Sequence, residues 1–487
     1  MAKYVRDCDL QRRRGKNALV SYITAPVRLG PHYQQHMFSN AGIARSIVKV
    51  LVQMGYTVDL IDWTCQDFES DKDYDLFLGH AGANWEYLSR NVVGDAVKIY
   101  FSTSLYWKQF NRREAERFDR FERQHGVRLP YDRWIEFSEE FACHDADGII
   151  CLGNAVAAES YGHFPLAFVL NNGVYRDNTY DPSKKDFEAG RRQFLYFGSS
   201  GSIHKGLDLL LEAFMGLDAE LWCAGRMEPA FLEVYRQDLT RSANIHLVGW
   251  VDLRSPLFYE LMNRCNCTIL ASCAEGSPGS VVECMNQGLI PIITQGTTID
   301  VDGFGVMLEE DSVEEVARVV REVMNRPARW HYEHSIKARQ AAVRDFSEEA
   351  FCQNLRLGIE QIIRRAPQVR AERQRIASEV VGDLDSYLAR WRNDLGALLR
   401  AAALLKSRGQ IDQAHLLWQQ ALAVEPSCLT AMCELARCYL DNKRCRQALG
   451  IARRALKQCP RDRGCLAILE QGGRLPDRDM SSEALVG

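Results

Sequence analysis

Residues 273–294 read CAEGSPGSVVECMNQGLIPIIT, and this stretch decides the fold. The apolar run Cys267–Leu270 before it reads as a buried strand. Ser277 is the expected N-cap of a helix, because its hydroxyl can accept a backbone N–H two or three residues on. Pro278 suits the first helical position, and Gly288 suits the stop. Val281, Val282 and Met285 fall on the face turned to a sheet, and Ile290–Thr294 is the next strand. Strand, helix, strand is the unit of a parallel sheet. The helix start leaves the amides of Gly279, Ser280 and Val281 without intrahelical partners, and such a turn attracts anions. Glu275 and Glu283 bracket it. On one continuous helix they would lie about 12 Å apart. With Glu275 in the loop and Glu283 inside the helix, they can address the two ends of one extended ligand whose anionic middle sits at the turn.

Working outward, strands and helices alternate up to about residue 345. In the first half the expected strands are Asn17–Ile23, Tyr56–Ile61, Asp75–Leu78, Val97–Ser102, Gly148–Leu152 and Ala167–Leu170. A helix over Ala41–Met54 ends at Gly55. The polar, turn-rich stretch 171–192 reads as a hinge. A second series follows, with strands Phe194–Phe197, Glu220–Ala224, Ile245–Val248, Cys267–Leu270 and Ile290–Thr294. Two doubly wound domains in tandem leave a cleft, and ligands in such sheets bind at the carboxyl ends of strands.

After residue 345 the strands stop. Ser347–Arg365 reads as a helix, and 366–378, rich in Arg and Gln, as a solvated linker or an exposed helix. Beyond 380 a 34-residue period emerges. It relates Pro426 to Pro460, Ala414 to Ala448, Ala421 to Ala455, Leu422 to Leu456 and Ala402 to Ala436. Small residues at that spacing, with Pro after the second helix, resemble the tetratricopeptide repeat. Two units (about 395–428 and 429–462) are fewer than the three or so that stand alone. They must pack on the preceding domain, on the helices 347–392 or on another subunit, and self-association is the simplest way to bury an incomplete stack.

Composition sets the limits. Lys and Arg total 60 and Asp and Glu 64, a formal charge of −4 over 487 residues, which excludes a protein that coats nucleic acid. Apolar residues make up 46%, an ordinary globular value. No run of 18 apolar residues predicts a membrane span, and the start MAKYVRDCDLQRRRGK lacks the apolar core of a signal peptide. The sixteen cysteines are scattered from Cys8 to Cys465 with no C-x-x-C pair, which suits a reduced protein better than a disulfide framework. Cys428, Cys433 and Cys438 read as small buried residues of the repeat.

The Glu-x7-Glu pattern in EGSPGSVVE, followed by Gly288-Leu289-Ile290-Pro291, resembles the signature of family 4 retaining glycosyltransferases of the GT-B fold. FGSSGSIHKGLDLLLEAF, with Lys205-Gly206, is similar to the family's strand, phosphate loop and helix start. Asn172-Gly173-Val174 and IHLVGWV (245–251) are similar to further landmarks in the same order. The resemblance implies an α/β chain of two tandem Rossmann-like domains followed by the all-α tetratricopeptide-like module. The implied division is an acceptor domain over 1–170, a linker over 171–192 and a nucleotide-sugar domain over 193–345. A return helix and linker fill 346–379, the repeats 380–475 and a tail 476–487. It implies that Glu283 holds the donor ribose and Glu275 contacts the donor sugar. Lys205 neutralises the leaving diphosphate, helped by Gly276, Ser277, the Gly279–Val281 amides and the small loop containing Ser199 and Ser200. The donor would be a UDP- or GDP-linked sugar, with no cofactor and no divalent metal. The acceptor would be a glycan, a lipid-linked glycan or a protein.

The chain departs from the family pattern in places. The first loop has Gly42 alone where a Gly pair is usual, and VKIYFSTSL (97–105) carries no His. The Arg usual near the second domain's first strand is absent from Gly198-Ser199-Ser200, so Arg226, in CAGRMEP, is the candidate substitute. His80, after a strand, is the candidate for sugar or acceptor contact. Asp pairs at 71/73, 73/75, 145/147 and 383/385 spell a metal motif of the other glycosyltransferase fold but sit where chance puts them. The absence of a G-x-G-x-x-G after the first strand argues against a nicotinamide enzyme. Asn111–Gln124 reads as a mixed-charge helix with Phe118 and Phe121 inward, and the aromatic, basic loop Pro26–Phe38 as a border of the acceptor site. The expected activity is transfer of a sugar with retention, in the cytoplasm or peripherally at the inner membrane face. The alternatives are a catalytically weak interaction protein that recruits partners through the repeats, or another GT-B nucleotide-sugar enzyme.

Overall fold

The computed structural model describes residues 4–6, 8, 15–28, 40–80, 84–164, 167–173 and 179–472. Most of the loop Pro26–Phe38, Val174 and the tail 476–487 lie outside them. The first sheet contains β1 (Tyr4–Val5), β2 (Lys16–Tyr22), β3 (Tyr56–Asp62), β4 (Leu76–His80), β5 (Val97–Ser102), β6 (Gly148–Leu152) and β7 (Ala167–Leu170). Their order in space is β1-β3-β2-β4-β5-β6-β7, parallel except for β1, which pairs antiparallel with β3. The second contains β8 (Gln193–Phe197), β9 (Glu220–Ala224), β10 (Ile245–Gly249), β11 (Cys267–Leu270), β12 (Ile290–Thr294) and β13 (Val306–Leu308). It is parallel throughout, in the order β10-β9-β8-β11-β12-β13. Every residue of β11 and β12 is buried, as expected of central strands covered on both faces.

Two helices tie the domains together. Trp107–His125 leaves the first domain after β5 and sinks Phe118 and Phe121 into the core of the second, beside Leu207, Phe231 and Tyr235. Its Arg117, 3% exposed, donates to Ala271 O at 2.9 Å and to Asp311 at 2.8 Å across the cleft. The charged face expected to be solvated is therefore partly an interdomain clamp. Glu348–Ser378 returns from the second domain to the first, where Phe351, Leu355, Ile359 and Ile362 join the core around β2, β4 and β6. Ile362 lies so close to Gly148 that a Cβ there would meet it at 2.6 Å. Residues 366–378 continue this helix without a break. Pro367 is exposed and lies inside the helix, which continues through it.

The C-terminal region is all helical. Leu395–Ser407, Leu429–Asp441 and Arg463–Gly472 start 34 residues apart, as do Ile411–Val424 and Cys445–Gln458. This stack packs on the first domain of its own chain. Leu429, Met432, Cys433 and Leu440 share a core with Phe68, Trp85 and Leu88. The Glu86 carboxylate accepts the Leu429 and Thr430 amides at 2.9 and 2.5 Å, capping the helix it meets. Arg90 pairs with Asp462 at 3.2 Å. Of the three packings expected, this one is on a preceding domain of the same chain.

All sixteen cysteines are unbridged, and all but Cys8 and Cys352 are buried. Cys433, Asp462 and Cys465 gather within 4.8 Å, but the Arg90 guanidinium already holds the cation's position against Asp462. Four members of the aspartate pairs have partners within the chain. Asp75 accepts the Asn17 amide, Asp145 accepts from Trp85 and Ser89, Asp147 pairs with Arg370, and Asp383 caps the helix Leu384–Trp391.

Candidate active site

β8 and β11 are neighbours whose crossovers run to opposite sides, so the second sheet has its switch point between them. The segments leaving β8, β9, β10 and β11 converge there on a cavity of about 620 Å³. Its second-domain wall includes Ser199, Lys205, Arg226, Trp250, Glu275 and Glu283. Asn40, Thr103, Arg133 and Leu152 close it from the first domain, and Asn172 from the hinge.

Glu275 and Lys205 meet inside it, 8% and 3% exposed, with the Lys205 ammonium donating to Glu275 Oε1. Ser272 Oγ donates to the same oxygen at 3.2 Å. Burial alone would raise the Glu275 pKa, but the charges of Lys205, His204 and Arg133 outweigh it and pull the carboxyl down to about 2. Lys205 is set by Gly206, which has φ +75 and lies against Ala271 O, where a Cβ would come within 2.3 Å. Glu283, 3% exposed, enters from the helix Gly279–Asn286, and Arg254 lies 3.8 Å from its Oε1.

Gly276, Gly279 and Ser280 line the cavity. A Cβ on Gly276 would sit 2.0 Å from Thr103 O, so the two domains touch at this glycine. The expected N-cap shifts by one residue, to Pro278. Ser277 instead adopts φ +52 and is fully buried. Its hydroxyl accepts the Asn172 amide at 3.3 Å and its carbonyl accepts Asn172 Nδ2 at 3.1 Å, so it fastens the hinge. Val281 points into the core, with its amide bonded to Pro278 O at 3.1 Å.

Ser199 lines the cavity and Ser200 does not. The next amides of that loop are taken: Glu228 accepts from Gly201 and Ser202 at 2.8 and 3.1 Å, and Asp132 from Ile203 at 3.1 Å. Arg226 reaches the cavity with its guanidinium 4.5 Å from the Trp250 ring. His80 is not among the lining residues. Its Nδ1 donates to Phe101 O at 2.9 Å, its ring packs on Tyr22, and burial lowers its pKa.

The sequence marked Asn172 only as a landmark and did not single out Arg133, His204, Thr103 or Trp250 as site residues. Arg133 comes from irregular chain in the first domain and adds a cation to Lys205 and Arg226 from across the cleft. His204 lies behind Lys205, stacked on Phe110, with Nε2 donating to Ala274 O at 2.6 Å and Nδ1 3.7 Å from Glu114. Burial would lower its pKa, but Cys273, Glu114 and Glu275 raise it to about 9, so it supports the Glu275 loop as a buried cation.

Residues 191–326 match the model of the family described as glycosyl transferases group 1. No curated protein matches the chain in sequence. Among solved structures, sucrose-phosphate synthase from Thermosynechococcus elongatus is similar over 72% of this chain and 99% of its own, at 13% identity and a TM-score of 0.51. Anabaena Alr3699/HepE, solved with UDP and glucose, is similar over 71% of this chain and 99% of its own, at 14% identity and a TM-score of 0.45. S. aureus TarM, as a G117R mutant solved with Fondaparinux, alpha-GlcNAc-glycerol and UDP, matches over 57% of this chain at 14% identity and a TM-score of 0.43. The chain spans about half the length of the TarM structures it matches. Two Rossmann-like domains around a cleft, closed by a returning helix, are the GT-B architecture. Within it, residues 191–326 are the part that matches the glycosyl transferases group 1 model.

Proposed function

We propose that this chain is a retaining, metal-independent glycosyltransferase. It moves a sugar from a nucleoside diphosphate sugar, UDP- or GDP-linked, to an acceptor hydroxyl. The observation that carries the reading is the convergence of Lys205, Glu275 and Glu283 on one cavity, with Arg133 and Arg226 on its walls. Glu283 suits the ribose hydroxyls, Glu275 the sugar hydroxyls, and Lys205 with the arginines the diphosphate. In the transfer the bond from the anomeric carbon to the diphosphate oxygen breaks, its electron pair leaves with the diphosphate, and the acceptor oxygen bonds to the same carbon. Glu275, held near pKa 2 by its cations, is a poor base. The departing diphosphate is the better acceptor for the hydroxyl proton. Cations fixed around that developing charge lower the barrier most when water is excluded. Sixteen unbridged cysteines suit a reducing compartment such as the cytoplasm. The helical pairs are read as a tetratricopeptide-like module.

One observation favours the weaker-catalyst alternative: Lys205 is already paired with Glu275, and loop amides that would meet a phosphate are held by Glu228 and Asp132. A turnover assay separates the two. Release of nucleoside diphosphate from a UDP- or GDP-sugar, lost in Lys205→Ala, supports the transferase, and the product's anomeric configuration tests retention. A donor that binds without ever being turned over supports the alternative.

A further inference from the structure

A second cavity, of about 410 Å³, lies between the first domain and the helical stack. Trp85, Phe137 and Phe141 line it together with Glu136, Glu425 and Lys457. It is joined to the first cavity by one irregular segment, 131–138. Arg133 of this segment lines the donor cavity, and Glu136, Phe137 and Ser138 line the second. Every third residue of the segment exposes a ring: Tyr131 is 37% exposed, Trp134 42% and Phe137 40%. Tyr131 and Trp134 stack at 4.6 Å, and Phe137 meets Trp63 edge-on at 5.6 Å.

What sets these rings apart is that they recur along one short segment, since a grouped apolar surface marks a binding site where scattered single residues do not. This one is held rigid although it has no regular hydrogen-bonding pattern of its own. Asn111, 4% exposed, exchanges both of its amide hydrogen bonds with the Ile135 main chain at 2.9 Å. Glu114, fully buried, accepts the Arg133 amide at 2.6 Å. Two buried polar side chains thus fix the backbone on either side of Trp134. A preset aromatic platform loses little freedom on binding.

We propose that this platform and the second cavity form the binding tract for a neutral saccharide acceptor, so that the helical stack is part of the acceptor site; the inference rests on the transferase reading above. The positively polarised C–H face of a pyranose suits the negative face of an aromatic ring. Hydroxyls suit the exposed carboxylate of Glu136, whereas Glu425 is already held by Ser138 and Ser427. The same carboxylates disfavour an acceptor that carries phosphate along this tract, since Lys457 is the one cation lining the cavity among the described residues. Phe137 lines the second cavity and Arg133, four residues before it, lines the donor cavity, so the segment reaches both.

The test uses the full chain and neutral trisaccharides of glucose, mannose, galactose and N-acetylglucosamine, read by saturation-transfer NMR. At least one is expected to bind, and Trp134→Ala is expected to weaken it about tenfold or more. Phe137→Ala is read in the same way and decides the matter if Trp134→Ala does not fold. Absence of binding by all four, unchanged affinity in the folded variants, or displacement of the saccharide by a lysine-rich peptide that binds more tightly would overturn the proposal. A donor-induced rise in Tm is measured on the same wild-type sample. If that rise is present and no saccharide binds, the acceptor tract fails and the transferase reading stands. If a saccharide binds and no donor raises Tm, the donor reading fails instead.

Discussion

Lys205 donates a hydrogen bond to Glu275 inside the interdomain cavity, so the two residues expected to act on adjoining parts of one donor are partners before it arrives. Removing one member of a buried ion pair strands the other and costs about 3–5 kcal/mol, whereas removing both is far milder. Lys205→Ala is therefore expected to lower Tm, and Lys205→Met with Glu275→Gln to restore most of it. Neither variant is expected to recover turnover, which should stay about a hundredfold down or more. Calorimetry beside a nucleoside diphosphate release assay checks both halves. Turnover restored along with stability would show that the pair is structural only.

His204 gives the pH dependence a sign. Its pKa rises from the ordinary 6.5 to about 9 in the folded chain, so the folded state holds its proton more tightly than the unfolded one. The stabilisation is fully present below pH 6.5 and is lost as pH climbs through about 9. Urea titrations across that window should show the wild type weakening with rising pH and His204→Gln much flatter. Parallel slopes in the two proteins would contradict the assignment.

Gly276 is the point where the domains touch, with Thr103 O in the space a Cβ needs. Both contacting atoms belong to or adjoin main chain, so neither can swing aside. Gly276→Ala is expected to push the domains apart and to abolish the donor-induced Tm rise while leaving both domains folded by circular dichroism. A donor response equal to wild type would mean that the close approach is not needed for binding.

Glu86 caps a helix of the C-terminal stack from the first domain. Losing such a cap typically costs about 1 kcal/mol. Glu86→Ala should raise hydrogen exchange across Leu429–Asp441 without a matching rise in the second domain. Exchange unchanged there would show that apolar packing alone holds the stack.

The strands were legible because parallel sheets buried on both faces need continuous apolar runs, and Val97–Ser102, Gly148–Leu152, Cys267–Leu270 and Ile290–Thr294 are observed with the bounds read from sequence. β1 and β13, at two and three residues, are too short for periodicity to register. The helix 348–378 ran past its expected end through the exposed Pro367, a residue that usually ends or kinks a helix. In the site, the residues of one contiguous motif, Glu275 to Glu283, were readable. Arg133, His204 and Thr103 were not, since they gain their positions only when the helix Trp107–His125 and the chain after it dock across the cleft. The Ser277 cap failed for a similar reason. Its hydroxyl finds a tertiary partner in Asn172, and a local rule cannot anticipate that competitor.

The donor site is tested most directly by thermal unfolding of the full chain with saturating UDP-, GDP-, ADP- and dTDP-sugars, in wild type and Glu283→Ala. A ligand that binds only the folded state at about a hundred times its Kd stabilises it by about 2.7 kcal/mol. A clear rise in Tm with a UDP- or GDP-sugar, collapsing in Glu283→Ala, is the predicted result. No rise with any donor, or a rise that Glu283→Ala leaves intact, would contradict the account.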